Sequence, residues 1–379
     1  MDKPDNRVKS LFIVAAVLFL AANSAASLLF SKYKQDQIRE DFAAESIRHS
    51  SRRPDVVFAG SSTVLLPMYQ LDFATYGRVP SIEQYTRIHF VEDALKQASG
   101  RNFQVNNISF LGFMISDDLF VIKQYLSGEH APKTLVMMVA PRDFCDSLFE
   151  SPAAGIAFRK MSDWSNTLDF CGTYLTQPTD YIDFLLGKTV FTYAMRAKIQ
   201  EKLHDYVAQK QDESPVSQLS TVDMNLSAQG VKEKWAKSVR EYTTRYRNIS
   251  FEKMQKQFVF MNRLLTTCKE RDIHVVLVNA PLTERNLEML PEGLYEQYNT
   301  KLASEAKQFD CKFIDLSHAK NFGDQDFSDT VHLNELGAKK VLEAVIPDVN
   351  QCLNASSSAN TAQTDDSKPI RSASLSLTH

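Results

Sequence analysis

Two segments far apart in the chain carry the residue types that nucleophilic catalysis requires. An apolar run over residues 56–59 leads into Gly60-Ser61-Ser62, and residues 327–334 contain Asp329 and His332 three positions apart. A serine hydroxyl reacts only when a base takes its proton, and histidine has a suitable pKa. A carboxylate on the other ring nitrogen fixes the tautomer and stabilises the imidazolium. The pattern predicts a serine hydrolase or acyltransferase with Ser62 as nucleophile, His332 as base and Asp329 as its partner.

Each of the two segments also has an ordinary structural interpretation. Gly60-Ser61-Ser62 fits a strand-to-helix turn with a serine N-cap, and Asn334 fits the cap of a helix that leaves His332 on the surface. The order of the segments along the chain, and the predicted strands between them, favour the chemical interpretation.

Two loops that follow predicted strands offer groups for binding a substrate oxygen. Gly112 follows the second strand, and without a side chain its N–H can approach an oxyanion closely. Arg142 and Asp143 follow the third strand, and ligands bind at the carboxyl ends of parallel strands. Gly112 and Arg142 are therefore candidates for oxyanion or substrate binding. The alternatives are an ordinary loop glycine and a surface ion pair of little energetic value.

Alternating strand and helix patterns predict the framework that positions these residues. The third and fourth apolar segments are continuous runs, which is typical of central strands covered by helices on both faces. Helical patterns over 116–126, 251–271 and 334–349 lie between or after them. The predicted fold class is α/β, with a doubly wound, flavodoxin-like parallel sheet. Its five predicted strands cover residues 55–59, 103–109, 134–140, 274–280 and 312–316.

The long segment 146–249 interrupts this alternation and predicts a helical insertion or cap. Such insertions usually lie above the carboxyl edge of a sheet and shape its site, and a second helical layer without functional contacts is the alternative. Residues 212–229 are polar and predict a mobile loop. The α/β domain then comprises 54–145 and 250–352, and the composition of 353–379 predicts a disordered tail.

Residues 1–31 predict a membrane anchor or a signal segment. Residues 11–30 carry no charge, and a helix of that length spans about 30 Å, the thickness of a hydrocarbon core. Lys3 and Arg7 precede the run and favour a cytoplasmic N-terminus. The length favours an uncleaved anchor followed by a stalk over 32–53, and the small residues near Ser24 leave signal cleavage open. In both cases the body of the chain is predicted to lie outside the cytoplasm, in a periplasmic or equivalent space.

Composition and motifs exclude several other function classes. The net charge of −3 gives no basic footprint for nucleic acid, and neither G-x-G-x-x-G nor a P-loop is present for a nucleotide. None of the five cysteines forms a C-x-x-C pair, so a zinc ribbon or thioredoxin-like site is not indicated. Cys268 and Cys311 are predicted to lie near each other, either as a disulfide or as buried thiols. No metal or dissociable cofactor is implied.

The segments around Ser62, Gly112, Arg142 and residues 329–332, taken in this order, resemble the SGNH (GDSL-like) hydrolase superfamily. The resemblance covers most of 54–145 and 270–349 and implies that Ser62, Asp329 and His332 form a triad. It also implies that the N–H groups of Ser62 and Gly112 bind the oxyanion. Two positions depart from the superfamily pattern: Gly-Ser-Ser stands in place of Gly-Asp-Ser, and Arg142 stands near the asparagine that normally donates to the oxyanion.

A membrane-attached branch of that superfamily looks most similar. It includes the D-alanyl transfer protein of teichoic acid systems and proteins of bacterial exopolysaccharide acetylation. Residues 279–283 also look like extracytoplasmic members, and Asn279 is a candidate substrate-binding residue on that resemblance. The implied function is an extracytoplasmic esterase or O-acyltransferase acting on a cell-envelope glycan, beside a membrane-bound O-acyltransferase. A non-catalytic scaffold or glycan-binding subunit is the alternative, because the asparagine is missing.

Overall fold

A five-stranded parallel sheet forms the centre of the molecule. The computed structural model describes residues 6–29, 52–147, 151–162, 167–194, 228–317 and 321–364. The strand order is β2-β1-β3-β4-β5, which confirms the α/β class and the doubly wound order predicted from the sequence. The strands are β1 (Val56–Gly60), β2 (Val105–Asn107), β3 (Thr134–Val139), β4 (His274–Asn279) and β5 (Lys312–Asp315).

Burial follows the position of each strand in the sheet. Every residue of β1 and β3 is buried, as expected for continuous apolar runs between two helical layers. The edge strand β5 has no fully buried residue. The parallel pairing places the carboxyl ends of β1 and β3 side by side, with Gly60 opposite Met138. This edge is where the sequence predicts the site.

The described helices surround the sheet and build the segment between β3 and β4. They are α1 (Asn6–Leu29), α2 (Ser62–Tyr76), α3 (His89–Ser99), α4 (Ile115–Tyr125), α5 (Ile156–Met161), α6 (Thr167–Phe170), α7 (Pro178–Thr189), α8 (Phe191–Ala194), α9 (Ala228–Arg245), α10 (Phe251–Glu270), α11 (Glu284–Leu287), α12 (Leu294–Gln308) and α13 (Glu335–Thr364). A short 3₁₀ turn, Pro141–Phe144, follows β3.

The helices that flank the sheet pack in two groups. Helix α13 packs on α2 and α3, and helix α10 packs on α4 and α12. The described parts of the predicted insertion are the helices α5 to α9. Their first half packs on α4 through aromatic rings, with Phe158 and Tyr174 stacked at 4.8 Å and Phe170 at 4.7 Å from Phe120. The segment between β3 and β4 is therefore packed against the α/β domain.

Several sequence predictions differ from the structure or fall outside it. Helix α13 continues to Thr364, although composition predicts disorder from residue 353 onward; Leu353 is completely buried and extends the packed face of the helix. For Cys268 and Cys311 the sequence left a disulfide and free thiols open, and the structure agrees with free thiols; all five cysteines, each in the described part, are free. The stalk at 32–51, the loop at 212–227 and residues 365–379 lie outside the described residues.

The N-terminal helix α1 contacts the segment between β3 and β4. The Asn23 side chain donates to the backbone oxygen of Thr189 at 3.2 Å, and α1 packs against α8. Val17, Leu18 and Leu20 are exposed. Within the described ranges, no helix combines the length and the hydropathy that crossing a membrane requires.

Candidate active site

Ser61 and Ser62, the two serines after β1, make different contacts. Gly60 has a φ of +136°, and a Cβ at this position would lie 2.6 Å from the Met138 backbone oxygen, so the turn requires glycine. The Ser61 side chain caps α2 by accepting the Thr63 N–H at 3.4 Å, and it also hydrogen-bonds Asp143. Ser62 is the first residue of α2, and its hydroxyl is directed elsewhere.

The hydroxyl of Ser62 contacts the imidazole of His332. Ser62 Oγ lies 2.9 Å from His332 Nε2, and His332 Nδ1 lies 2.8 Å from Asp329 Oδ2. All three side chains are buried, with exposed fractions of 8%, 7% and 7% for Ser62, Asp329 and His332. The structure thus brings the predicted nucleophile, base and carboxylate together in hydrogen-bonding order, although the nucleophile and base are 270 residues apart.

Asp329 is held as a carboxylate. Its Oδ1 accepts the backbone N–H groups of Val331 and His332, both at 2.9 Å, because the chain turns back over it. Burial alone would raise the pKa of Asp329, but the charge of His332 and these hydrogen bonds outweigh burial and lower the pKa to about 2. A charged carboxylate here orients the ring and stabilises it when it is protonated.

Two backbone amides beside the nucleophile are open. The N–H groups of Ser62 and Gly112 hydrogen-bond no residue that the structure describes. Gly112 has a φ of +83°, and its loop is held to β1 by the Phe110 N–H, which donates to the Gly60 oxygen at 3.2 Å. The predicted oxyanion donors therefore lie on neighbouring segments at the same edge of the sheet.

Arg142 is buried in this edge and is not a surface residue. Its exposed fraction is 2%, which rules out the alternative of a surface ion pair. Nη1 donates to the Phe113 oxygen and to Asp143, each at 3.0 Å, and Nε lies 3.4 Å from Asp146. Nη2 is buried without a partner in the described structure. A Cβ built on Gly112 would lie 3.9 Å from that nitrogen, so the open nitrogen adjoins the open amide of Gly112.

The guanidinium of Arg142 is kept charged by its neighbours. Burial opposes the charge, but the carboxylate of Asp143, with a smaller contribution from Asp146, raises the pKa of Arg142 above its ordinary value. Asp143 in turn accepts the Ala140 N–H at 2.9 Å and bonds Ser61. Arg142 is therefore fixed to the same turn that carries the nucleophile.

Two buried acids on α4 were not found by sequence reasoning. Asp118 accepts the N–H of Gly60, and burial followed by the nearby charge of Asp143 raises its pKa well above the usual range. Asp117 accepts the N–H groups of Met114 and Ala157, and burial raises its pKa to about 6. The feature of the sequence that could have indicated them is the pair Asp117 and Asp118 within an otherwise apolar helical segment.

Asn279 is placed apart from these contacts. Its side chain is fully buried, and its amide hydrogen-bonds Tyr298, Asn299 and Asp315 at 3.1 Å each. This network closes the carboxyl ends of β4 and β5. A role for Asn279 in substrate binding stays a prediction from the sequence.

The described residues contain no group of three His, Cys, Asp or Glu side chains placed to hold a metal ion. The chemistry available from the geometry is proton transfer between Ser62 and His332. The N–H groups of Ser62 and Gly112 and the buried Nη2 of Arg142 have no hydrogen-bond partner among the described residues.

A family model described as "Protein of unknown function (DUF1574)" matches residues 209–348, which is less than half of the chain and includes Asp329 and His332 but not Ser62. No curated protein matches.

Two similar solved structures are hydrolases. One is LAE5, an alpha/beta hydrolase enzyme from the metagenome of Lake Arreo, Spain, with 12% identity, a TM-score of 0.36, and coverage of 81% of this chain and 99% of that chain. The other is a mutant of Axe2, an acetyl-xylooligosaccharide esterase from Geobacillus stearmophilus, with 12% identity and a TM-score of 0.36. The match covers 79% of this chain and 94% of that chain. Likenesses of this strength establish neither a family nor an activity for this chain.

Proposed function

We propose that this chain is a serine esterase or O-acyltransferase that works through an acyl-enzyme on Ser62. The observation that carries the proposal is the continuous contact from Ser62 Oγ to His332 Nε2 at 2.9 Å and from His332 Nδ1 to Asp329 at 2.8 Å. This order of hydroxyl, imidazole and carboxylate is what activates a serine for attack on an acyl group.

The first half of the proposed reaction acylates the serine. Ser62 Oγ attacks the carbonyl carbon while its proton passes to His332 Nε2, and the carbonyl electron pair moves to the oxygen. The imidazolium gives that proton to the leaving alcohol as the carbon–oxygen bond breaks. An ester on Ser62 remains, and Asp329 stays charged throughout, consistent with its pKa of about 2.

The second half returns the enzyme to its starting state. Water or a sugar hydroxyl attacks the acyl carbon and gives its proton to His332, and Ser62 departs with a proton from the imidazolium. Water yields hydrolysis and a sugar hydroxyl yields transfer. Incubation of the acylated protein with candidate glycans, followed by mass spectrometry of glycan and protein, distinguishes these two outcomes.

We assign three donors to the oxyanion: the N–H groups of Ser62 and Gly112, and Nη2 of Arg142. The two amides have no partner among the described residues, and the buried Nη2 has none either. A buried donor left open is costly in the free enzyme, and an incoming oxyanion would satisfy it. Phe113, Asp143 and Asp146 occupy Nη1 and Nε of Arg142, which leaves Nη2 to donate to the negative charge that develops in the transition state.

The cell-envelope glycan, the extracytoplasmic location and a membrane-bound O-acyltransferase partner belong to this proposal through the sequence resemblance. The uncharged run at 11–30 and the exposed Val17, Leu18 and Leu20 of α1 support attachment of the N-terminus to a membrane. Membrane fractionation of the full chain, compared with a chain lacking residues 1–31, tests the attachment. Co-purification from membranes without any polytopic acyltransferase would count against the partner.

The decisive experiment reacts the protein with a fluorophosphonate and with 4-nitrophenyl acetate. We expect labelling on Ser62 and acetate release, both lost in Ser62→Ala. Ser61→Ala is the matched control; it should still be labelled, with a stability loss of about 1 kcal/mol from the missing helix cap. If Ser62→Ala released 4-nitrophenol at the wild-type rate, the mechanism would be wrong. The assembled triad favours the enzyme over a non-catalytic scaffold.

A further inference from the structure

One face of helix α9 reaches both sides of the proposed catalytic site. Ser238, Tyr242 and Arg245 lie at positions i, i+4 and i+7, which places them along one face over about 10 Å. Ser238 and Tyr242 are 5% and 3% exposed. This helix belongs to the segment between β3 and β4, whereas the triad belongs to the α/β domain, so the contacts join two parts of the chain.

At one end of this face, Ser238 holds the turn that carries the base. Ser238 Oγ lies 2.6 Å from Thr330 Oγ1 and accepts the Thr330 N–H at 3.4 Å. From the opposite side, the Thr283 hydroxyl donates to the Thr330 oxygen at 2.8 Å. Thr330 is fully buried and lies between Asp329 and His332 in sequence. Its polar groups are thus fixed by side chains from two other elements.

At the middle of the face, Tyr242 adjoins the imidazole. The two rings meet edge to face with centroids 6.5 Å apart. Burial is the main cause that raises the pKa of the Tyr242 phenol; Arg142 acts to lower it, and Asp329 acts to raise it further. The phenol therefore lies within electrostatic range of the guanidinium and of the carboxylate.

At the other end, Arg245 supports the guanidinium of Arg142. Arg245 pairs with Asp146, which is buried, and Asp146 lies 3.4 Å from Arg142 Nε. Arg245 also pairs with Glu241 on its own helix at 2.8 Å. Because Asp146 forms ion pairs with both Arg245 and Arg142, the position of α9 is linked to the position of the Arg142 guanidinium and its Nη2, which is unpaired in the described part of the chain.

We propose that α9 is a positioning element of the active site, with Ser238 holding the base and Arg245 holding the charged oxyanion donor. This rests on the proposed function. Removing the Ser238 hydroxyl leaves the Thr330 N–H and hydroxyl buried without their partner, and the turn must move to satisfy them. A shift of the imidazole relative to Ser62 lowers the rate of proton transfer, while the substrate-binding surface stays in place.

The test uses the full chain with 4-nitrophenyl acetate and a fluorophosphonate. Ser238→Ala and Arg245→Gln are compared with Thr243→Ala and Arg240→Gln, which remove a hydroxyl and a guanidinium at exposed positions of the same helix. Among the described residues, the Thr243 hydroxyl hydrogen-bonds the Val239 oxygen of its own helix and Met289, and no contact with the catalytic turn is present. Thermal unfolding of each variant sets an assay temperature at which all are folded.

We expect Ser238→Ala and Arg245→Gln to lower kcat and the labelling rate of Ser62 on the order of 10- to 100-fold, with KM within about twofold. The two controls should match the wild type. Equal labelling rates in the wild type and both variants, or an equal loss in the controls, would overturn the proposal. A wild type that reacts with neither probe would refute the proposed function, and this inference with it.

Discussion

Asp329→Asn separates the contribution of this carboxylate to catalysis from its contribution to folding stability. Asparagine has nearly the same shape, so its Oδ1 can still accept the N–H groups of Val331 and His332 at 2.9 Å. Its NH₂ group then takes the place of Oδ2, 2.8 Å from His332 Nδ1. An amide NH₂ only donates, so Nδ1 must accept and the ring proton must sit on Nε2. Nε2 then donates to Ser62 and cannot take its proton.

The expected loss of activity is large. A wrong tautomer in otherwise intact geometry lowers kcat by about 10⁴, which corresponds to about 5 kcal/mol of activation free energy. We expect KM for 4-nitrophenyl acetate to change little, because Asp329 contacts Nδ1 of His332, on the side of the ring away from Ser62. We also expect fluorophosphonate labelling of Ser62 to slow by a similar factor.

The expected loss of stability is smaller and depends on pH. The pKa of Asp329 is about 2 in the folded chain and about 3.9 in an unfolded chain, a difference worth about 2–3 kcal/mol. Because the folded-state pKa is lowered, this stabilisation is present above about pH 4 and is lost as pH falls toward 2. The asparagine side chain of the variant does not titrate, so the stability difference between wild type and variant should shrink over that range.

Kinetics at pH 7 and urea unfolding at several pH values measure the two effects. Asp329→Glu is a useful second variant, because it keeps the charge but moves it by one methylene. An Asp329→Asn protein with kcat within tenfold of the wild type would refute the role of the carboxylate. A stability difference that stays constant from pH 5 to pH 2.5 would refute the origin of the lowered pKa.

Three further substitutions test other parts of the site. Arg142→Gln should lower kcat by about 10²–10³ and stability by about 3–5 kcal/mol, measured by kinetics and urea unfolding, because Asp143 loses its buried partner; unchanged kcat would remove Arg142 from the oxyanion site. Gly60→Ala should destabilise by at least about 1–3 kcal/mol, since its Cβ meets the Met138 oxygen at 2.6 Å with φ at +136°; an unchanged unfolding midpoint would contradict this. Burial raises the pKa of Asp117 to about 6, so the free energy of unfolding of the wild type should fall by about 3 kcal/mol between pH 4 and 7 relative to that of Asp117→Asn. A stability difference that does not change with pH would contradict this prediction.

The sheet and the triad were accessible from the sequence for a physical reason. Buried central strands need continuous apolar runs, and this pattern predicted β3 and β4. The other three strands were also predicted in the right places, with β2 shorter than its run. Parallel pairing brings the strand ends, and with them Ser62, to one edge. The meeting with His332, which lies between β5 and α13, was predicted from the order of the segments and from the superfamily resemblance. The choice of Ser62 over Ser61 agrees with the structure, in which Ser61 caps the helix.

The supporting contacts were not accessible because they leave no local pattern. Ser238 and Thr330 are 92 residues apart, and a serine in a polar helix does not indicate its partner. Arg142 looks like a surface residue in sequence, and only the fold reveals that Phe113, Asp143 and Asp146 surround it. Composition predicted disorder from residue 353, whereas helix α13 continues to Thr364 and buries Leu353 against the core.

The wide separation of nucleophile and base along the chain has a consequence for biosynthesis. Ser62 and Gly112 leave the ribosome early, whereas His332 follows 270 residues after Ser62. Chains emerge N-terminus first, at about 5–20 residues per second, so tens of seconds elapse before an imidazole is available. A nascent chain that already displays its hydroxyl would be inert toward esters during that interval. Reactivity would begin only when the closing helix α13 docks, so completion of the fold itself controls when the serine becomes reactive.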